Sequence, residues 1–155
     1  MKYFFISLML FAMLAGCKSS KVSTSQKESA KTEVTGKFEA SMLYATPWRL
    51  VKLETPSKTI EVPAGEEATI IFNEKDSRVN GRCCNSYFGS FELKGNVVTF
   101  SNMGSTKMMC HGIIGEIETL YHSMLAAPQT ISINTKKMVL KSDKGTLYFD
   151  AFNLE

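Results

Sequence analysis

Short runs of β-branched and aromatic residues recur along most of this chain, and they constrain its fold more than any other feature. Gly, Asn, Asp and Pro, which favour turns, separate the runs. In the last run the apolar Leu147 and Phe149 alternate with Tyr148 and Asp150, as in a strand with one buried face. The sequence therefore predicts eight strands of a meandering antiparallel sheet: Trp48–Leu53, Ala68–Asn73, Arg78–Cys83, Tyr87–Leu93, Asn96–Ser101, Gln129–Asn134, Lys137–Lys141 and Thr146–Phe152.

One segment has the periodicity of a helix instead. From Ile113 to Ala127 the apolar residues recur at spacings of three and four, and Pro128 then ends the pattern. Glu118 and His122 are four residues apart on the opposite face, which we expect to be exposed to solvent. The prediction is a mainly β fold with one amphipathic helix that packs on a curved sheet or plugs it.

The N-terminus has the pattern of a lipoprotein signal peptide. Lys2 precedes an apolar run from Tyr3 to Leu14, and small residues lead directly to Cys17. The run is shorter than the roughly 20 apolar residues that a transmembrane helix needs. We expect residues 1–16 to be removed and Cys17 to carry acyl chains that attach the protein to a membrane of the cell envelope. Lys18 is not the acidic residue that retains many such lipoproteins in the inner membrane, so the outer membrane is the expected location.

Composition divides the rest of the chain into two parts. Residues 17–40 are rich in Ser, Lys, Thr and Glu and contain few apolar residues, which predicts a lipidated flexible tether. Residues 41–155 have the length of one domain. The whole chain has 18 basic and 15 acidic residues. The charges are nearly balanced and the basic residues do not form a stripe, so we expect no nucleic-acid partner.

A motif in the middle of the chain resembles a known family. Gly81-Arg82-Cys83-Cys84-Asn85-Ser86-Tyr87-Phe88-Gly89-Ser90-Phe91 is similar to the Gly, Cys-Asn, Tyr, Gly, aromatic signature of the META domain (HslJ-like) family. The similarity extends over most of residues 46–152. It includes further positions in the opening strand, in the Thr, Met, Cys segment and in the helix that follows: Trp48, Thr106, Met108, Cys110, Glu116 and Tyr121.

The resemblance implies a small, strongly bent β-barrel with a helix, and an association with the envelope or with stress, but no reaction. The chemistry of the motif agrees with a structural role. Asn85 tolerates left-handed backbone, so the Cys-Asn pair together with Gly89 predicts a turn or bulge that bends the sheet. We therefore interpret Gly81, Asn85, Tyr87 and Gly89 as residues that specify the fold rather than a ligand site.

Three cysteines remain beside Cys17, and an exported domain is expected to oxidise a pair of them. Neighbouring residues in a strand point to opposite faces, so Cys110 can normally reach only one of Cys83 and Cys84. Cys84 and Cys110 are at positions that match the family, so the resemblance implies that these two pair. Cys83 is then a leftover thiol, either buried and inert or available for intermolecular pairing.

The sequence gives little support for a metal site or for catalysis. A set of soft ligands of the kind that selects Cu(I) is present, but a disulfide would consume two of the thiolates and methionines commonly fill cores, so we expect no metal and no cofactor. The two histidines are not suitably placed beside a free thiolate, and hydrolase, nucleotide-binding and zinc-protease motifs are absent. We expect a protein that is not an enzyme. The soft-ligand set is Cys83, Cys84, Met103, Met108, Met109, Cys110 and His111.

The expected function is that of a non-catalytic, lipid-anchored envelope protein of the META/HslJ type, with a role in binding or stress tolerance and with an envelope protein or a small ligand as its partner. The alternative is a lipid-anchored inhibitor of a host enzyme such as lysozyme, although Asn85-Ser86-Tyr87 is only faintly similar to the inhibitory loop of such proteins. Carriage of a small molecule inside the barrel is a third possibility, and it would require a hollow interior.

Overall fold

The computed structural model describes residues 38–44 and 46–152. Cys17, the signal peptide and nearly all of the tether lie outside these residues, and so do the predictions made for them. None of the helices described is both long and apolar enough to cross a membrane. The described residues form two helices and nine strands: α1 Ala40–Tyr44, β1 Trp48–Glu54, β2 Thr59–Glu61, β3 Ala68–Asn73, β4 Arg78–Cys83, β5 Asn85–Lys94, β6 Val97–Ser105, α2 Gly112–Leu125, β7 Gln129–Asn134, β8 Lys137–Ser142 and β9 Gly145–Ala151.

The strands form a closed antiparallel barrel. From β3 to β9 each strand pairs with the next one along the chain, β1 pairs with β3, and β9 returns to pair with β1. Eight strands therefore make up the barrel wall. β2 lies beside the second half of β1, where Leu53 is opposite Ile60. The prediction of a mainly β barrel with one amphipathic helix is confirmed.

The two helices lie at opposite ends of this barrel. Because the strands are antiparallel, the end of β4, the start of β5 and the start of β9 lie at one end, and α2 packs there, with the ring of Tyr121 centred 5.8 Å from Tyr87 and 6.3 Å from Phe149. α1 packs at the other end, where the Trp48 indole donates a hydrogen bond to the carbonyl of Leu43 at 3.2 Å. Neither α1 nor β2 was predicted, because five and three residues are too short for a periodic pattern.

Side chains from the strands and both helices fill the interior of the barrel as one core. Along β5 the residues alternate between buried and exposed, so that Tyr87 and Phe91 point inward while Ser86 and Phe88 point outward. The largest side chains in the core are almost completely buried: Trp48, Tyr87, Tyr121, Phe72 and Phe149. A packed interior of this kind does not support carriage of a ligand within the barrel.

The predicted bend near the Cys-Asn pair is present, but a different residue makes it. Cys84 has φ +54° and joins β4 to β5, whereas Asn85 is in strand conformation and pairs with Cys83. The structure also has an irregularity in the β5–β6 pairing between Phe88 and Ser90, at Gly89. A Cβ at Gly89 would lie 2.3 Å from the sulfur of Met103 and 3.0 Å from the Ser101 carbonyl oxygen, so a larger residue there would displace the Met103 side chain.

The helix predicted over Ile113 to Ala127 spans Gly112–Leu125. Its apolar stripe is buried as the periodicity indicated, through Ile117, Tyr121, Met124 and Leu125. Phe38, which was assigned to the tether, packs against the core.

A disulfide-anchored loop as the candidate functional site

Asn85 is the centre of the hydrogen-bond network at the α2 end of the barrel. Its side-chain oxygen accepts hydrogen bonds from the hydroxyl of Thr106 at 2.9 Å and from the backbone N–H of Met108 at 2.7 Å. Its amide nitrogen donates to the carbonyl of Met108 at 3.2 Å and to the carboxylate of Glu118 at 2.9 Å. The backbone N–H of Asn85 donates to the other oxygen of Glu118 at 2.8 Å. One buried residue therefore joins β5 to α2 and to residues 106–111, hereafter the 106–111 loop.

A disulfide between Cys84 and Cys110 attaches the loop a second time. These are the two cysteines that the resemblance implied. The Asn85 amide nitrogen lies 3.1 Å from the sulfur of Cys110, and an oxygen of Glu118 lies 3.2 Å from the same sulfur. A disulfide sulfur carries no proton, so the second distance is a contact and not a hydrogen bond. The loop is thus held both by a covalent bond and by the Asn85 side chain.

The anchored loop presents apolar side chains to solvent. Met109 is 81% exposed and Met108 57% exposed, and Ile113 in the first turn of α2 is 40% exposed. Beside them lies a cleft of about 380 Å³ lined by Glu66, Glu67, Arg82, Cys84, Met108 and Ile114 together with Gly65. Exposed methionines on a fixed backbone, next to a cleft with charged walls, form a surface that can contact another protein.

Gly81 and Tyr87 have a structural role, as interpreted from the motif. The hydroxyl of Tyr87 donates to the carbonyl of Thr69 at 2.7 Å and therefore accepts from the hydroxyl of Tyr121 at 2.7 Å. A Cβ on Gly81 would lie 2.0 Å from the Thr69 carbonyl oxygen and 2.5 Å from the Tyr87 hydroxyl. Burial raises the pKa of both tyrosines, so they remain protonated and bind as neutral hydrogen-bonding groups.

Cys83 points into the core, away from the disulfide. Its side chain is fully buried, and burial, followed by the carboxylates of Glu118 and Glu66, raises the pKa of the thiol to about 12. The thiolate is the reactive form of cysteine, and it is scarcely populated at neutral pH. Cys83 therefore has the environment of an inert core residue.

The prediction that Glu118 and His122 face solvent is wrong. Glu118 is half-buried and binds Asn85, while the His122 ring packs edge-on against Tyr87 at 5.2 Å and near Tyr121 at 5.8 Å. The Nε2 atom of His122 is buried with no hydrogen-bond partner among the described residues. Burial lowers the pKa of His122, and Glu118 partly opposes this effect. The spacing of apolar residues identifies the one helix face that packs on the core. A helix that closes the end of a barrel also contacts other segments along its sides, so polar residues there can be buried as well.

The remaining predicted site residues lie outside the Asn85 network or only support it. Trp48 is buried near α1, and Glu116 is on the surface, where it forms an ion pair with Lys58. Glu118 was predicted only as a solvent-exposed residue, and its hydrogen bonds to Asn85 were not predicted. The motif residue Asn85 was the one indication of such a partner, because the N–H groups of an asparagine that becomes buried need a nearby hydrogen-bond acceptor.

The structure also bears on the metal and inhibitor hypotheses. Cys84, Cys110 and Glu118 place possible ligand atoms within 4.8 Å of one another, but both sulfurs are consumed by the disulfide and Glu118 accepts hydrogen bonds from Asn85. This group is therefore not available to a metal ion in the oxidised protein. The residues that were faintly similar to an inhibitory loop, Asn85 to Tyr87, belong to β5 and pair with β4, so they do not form a projecting loop.

The fold agrees with the comparisons to known proteins. A family model described as the META domain matches residues 41–151. The chain belongs to the META domain family. An NMR structure of a protein from Burkholderia xenovorans is similar to this META domain with a TM-score of 0.62 and 26% identity, over 74% of this chain and 86% of that one. A second NMR structure has a TM-score of 0.59 and 20% identity, over 73% and 94% of the two chains, and shows the shared fold. No curated protein matches the sequence significantly.

Proposed function

We propose that this META domain protein is a non-catalytic, lipid-anchored protein of the cell envelope that binds a partner protein through the 106–111 loop and contributes to stress tolerance. The observation that carries the proposal is the combination of rigidity and exposure in this loop. The disulfide and the Asn85 side chain hold its backbone, while Met108 and Met109 remain largely exposed. A fixed loop loses little conformational entropy on binding, so its exposed apolar side chains favour association with a partner.

The chemistry of the site supports binding rather than catalysis. The Cys83 thiol is buried and its pKa is raised to about 12. The polar atoms of Asn85 are engaged by Thr106, Met108 and Glu118. Because these side chains are buried or already hydrogen-bonded to one another, they are not free to act as a nucleophile or as a general base toward a substrate.

The 106–111 loop is remote from the point at which the described chain enters the domain. The polypeptide enters the domain at Phe38, immediately before α1, and α1 lies at the opposite end of the barrel from the disulfide. Residues 38–44 therefore do not cover the 106–111 loop, and attachment through a flexible tether leaves the loop accessible to a protein partner.

The test combines complementation with site-specific cross-linking in cells that lack the native protein. We expect the wild-type chain to restore tolerance of envelope stress, and we expect Cys17→Ser to fail because it lacks the acyl chains. Met109→Asp should also fail, since it places a charge at the most exposed apolar position. Asn80→Asp is the matched control, because it introduces the same charge at an exposed position of β4.

A photoreactive amino acid at position 109 should form a discrete protein adduct that the same group at position 80 does not form. Full complementation by Met109→Asp, with equal cross-linking from both positions, would exclude the loop as the binding surface. Full complementation by Cys17→Ser would exclude the need for lipid attachment.

A further inference from the structure

One edge of β6 lacks a strand partner along most of its length. β6 pairs with β5 from Val97 to Ser105, but on its other side it pairs with β7 only at Val97 and Val98. From Thr99 to Ser105 no strand among residues 38–44 and 46–152 covers this side. Among the described residues this is the longest stretch of barrel strand that lacks a partner on one side. The chain that could have continued β7 here forms the end of α2 and its connection to β7.

The backbone groups at this edge are directed outward. The carbonyl of Asn96 accepts a hydrogen bond from the N–H of Ile131 at 2.7 Å, which places the groups of Asn96 on the β7 side. Antiparallel pairing alternates along a strand, so the N–H and C=O of Phe100 point to the same side. Beyond the irregularity near Asn102, the N–H of Thr106 bonds to the carbonyl of Ser86, which leaves the groups of Ser105 on the outer side.

The edge also has few of the features by which proteins protect exposed strands. Thr99-Phe100-Ser101-Asn102-Met103-Gly104-Ser105 contains no charged residue and no proline. Natural proteins commonly place lysine, proline or a covering loop at such an edge to prevent pairing with another chain. The irregularity at Asn102 is the one such feature in this segment. Unpaired backbone groups remain on both sides of it, at Phe100 and at Ser105.

A cleft separates the end of this edge from α2. Its volume is about 230 Å³, and it is lined by Met103, Gly104, Ser105, His122, Leu125 and Ala126. Met103 is 36% exposed within it. An edge strand beside a helix, with an apolar cleft between them, is an arrangement that accepts an extended peptide as an added strand.

We propose that the β6 edge binds an extended segment of a partner protein by strand addition. The segment continues the β6–β7 ladder in the place that β7 leaves vacant and forms backbone hydrogen bonds to Phe100 and Ser105. It also places an apolar side chain in the cleft, against Met103 and His122. The occupant is a polypeptide because the unpaired groups are alternating N–H and C=O groups, which another strand matches and a lipid surface does not. This surface is separate from the 106–111 loop, and the inference does not depend on the function proposed for that loop.

A photoreactive peptide tests the proposal with the full-length chain in native membranes. The probe is a short peptide of alternating threonine and valine with a diazirine-bearing leucine in the middle and lysine at each end. We expect mass spectrometry to locate the cross-links between Thr99 and Ser105 and at His122. The same peptide with alternate amides N-methylated should label these residues about tenfold less, because it lacks the N–H groups along one edge.

Variants provide a second control. Met103→Lys should reduce labelling by placing a charge in the cleft, while Asn80→Lys, on a strand paired on both sides, should leave it unchanged. Equal labelling by the N-methylated peptide would overturn strand addition, and so would cross-links located outside β6 and α2. Cross-links between two copies of the chain at this edge, formed in preference to the peptide, would assign the edge to self-association and would also overturn the proposal.

Discussion

Asn85 supplies the side chain that connects β5, the 106–111 loop and α2. Replacing it with alanine removes the side-chain hydrogen bonds to Glu118, Thr106 and Met108 and leaves only the bond from the backbone N–H to Glu118. We expect Asn85→Ala to lower the free energy of unfolding by about 2–4 kcal/mol, because several buried groups lose hydrogen bonds at once. Urea denaturation measures this change. Asn80→Ala, at an exposed position, is the control and should change stability by less than about 0.5 kcal/mol.

His122 should make stability depend on pH. Its pKa in the folded protein is lowered from 6.5, chiefly by burial. As the pH falls below 6.5, the unfolded chain therefore takes up a proton before the folded protein does. The contribution is fully present above pH 6.5 and is lost as the pH falls toward the lowered pKa. We expect His122→Gln to flatten the change in the urea midpoint between about pH 7.5 and pH 5.

The other histidine, His111, is exposed at the start of α2 and provides the control for this measurement. His111→Gln should retain the pH dependence of the wild-type protein. If His122→Gln retained it as well, the lowered pKa of His122 would not be the source of the effect.

At the scale of elements, the disulfide links the turn between β4 and β5 to the loop before α2. The two cysteines are 26 positions apart. Closing a loop of this length stabilises a folded chain by about 3.5 kcal/mol in the chain-entropy model, so the double variant Cys84→Ser, Cys110→Ser should lose about that amount. Cys83→Ala is the control. It should retain the cross-link on a non-reducing gel and lose only about 1 kcal/mol from the core.

The sequence and the structure can also be compared element by element. Ala68–Asn73, Arg78–Cys83 and Gln129–Asn134 were predicted with the bounds that the structure has. These strands have alternating or continuous apolar patterns and clear turn residues on both sides. β2 and α1 are held in place by their neighbours, since β2 pairs with β1 and Leu43 of α1 is buried in the core. Such short elements depend on tertiary contacts that no local pattern records.

For the whole molecule, pairing between β1 and β9 decides whether the barrel closes. Gly145 begins β9 with φ +140°, and a Cβ there would lie 2.0 Å from the carbonyl oxygen of Glu54 at the end of β1. We expect Gly145→Ala to cost more than about 3 kcal/mol and to speed hydrogen exchange in β1 and β9, because it combines backbone strain with a clash at the closing pair.

Gly95→Ala is a matched control for this prediction. Gly95 has φ +61°, but a Cβ added there would have no atom within 4 Å. This variant should therefore lose only the backbone contribution, about 1–2 kcal/mol. Equal losses for the two variants would show that the close approach of Gly145 to the Glu54 carbonyl adds no cost to a side chain at this position.

Sequence alone determined the alternation of strands, the position of the main helix and the residue types that make up the family motif, because hydrophobic period and turn chemistry are local properties of the chain. Tertiary structure decided how those residues are used. It brought Glu118 to Asn85 across 33 positions, packed His122 against Tyr87 and assigned the left-handed bend to Cys84. It also left the β6 edge without a partner beyond Val98. These outcomes depend on which segments meet when the sheet closes and the helix covers its end, and no local sequence pattern contains that information.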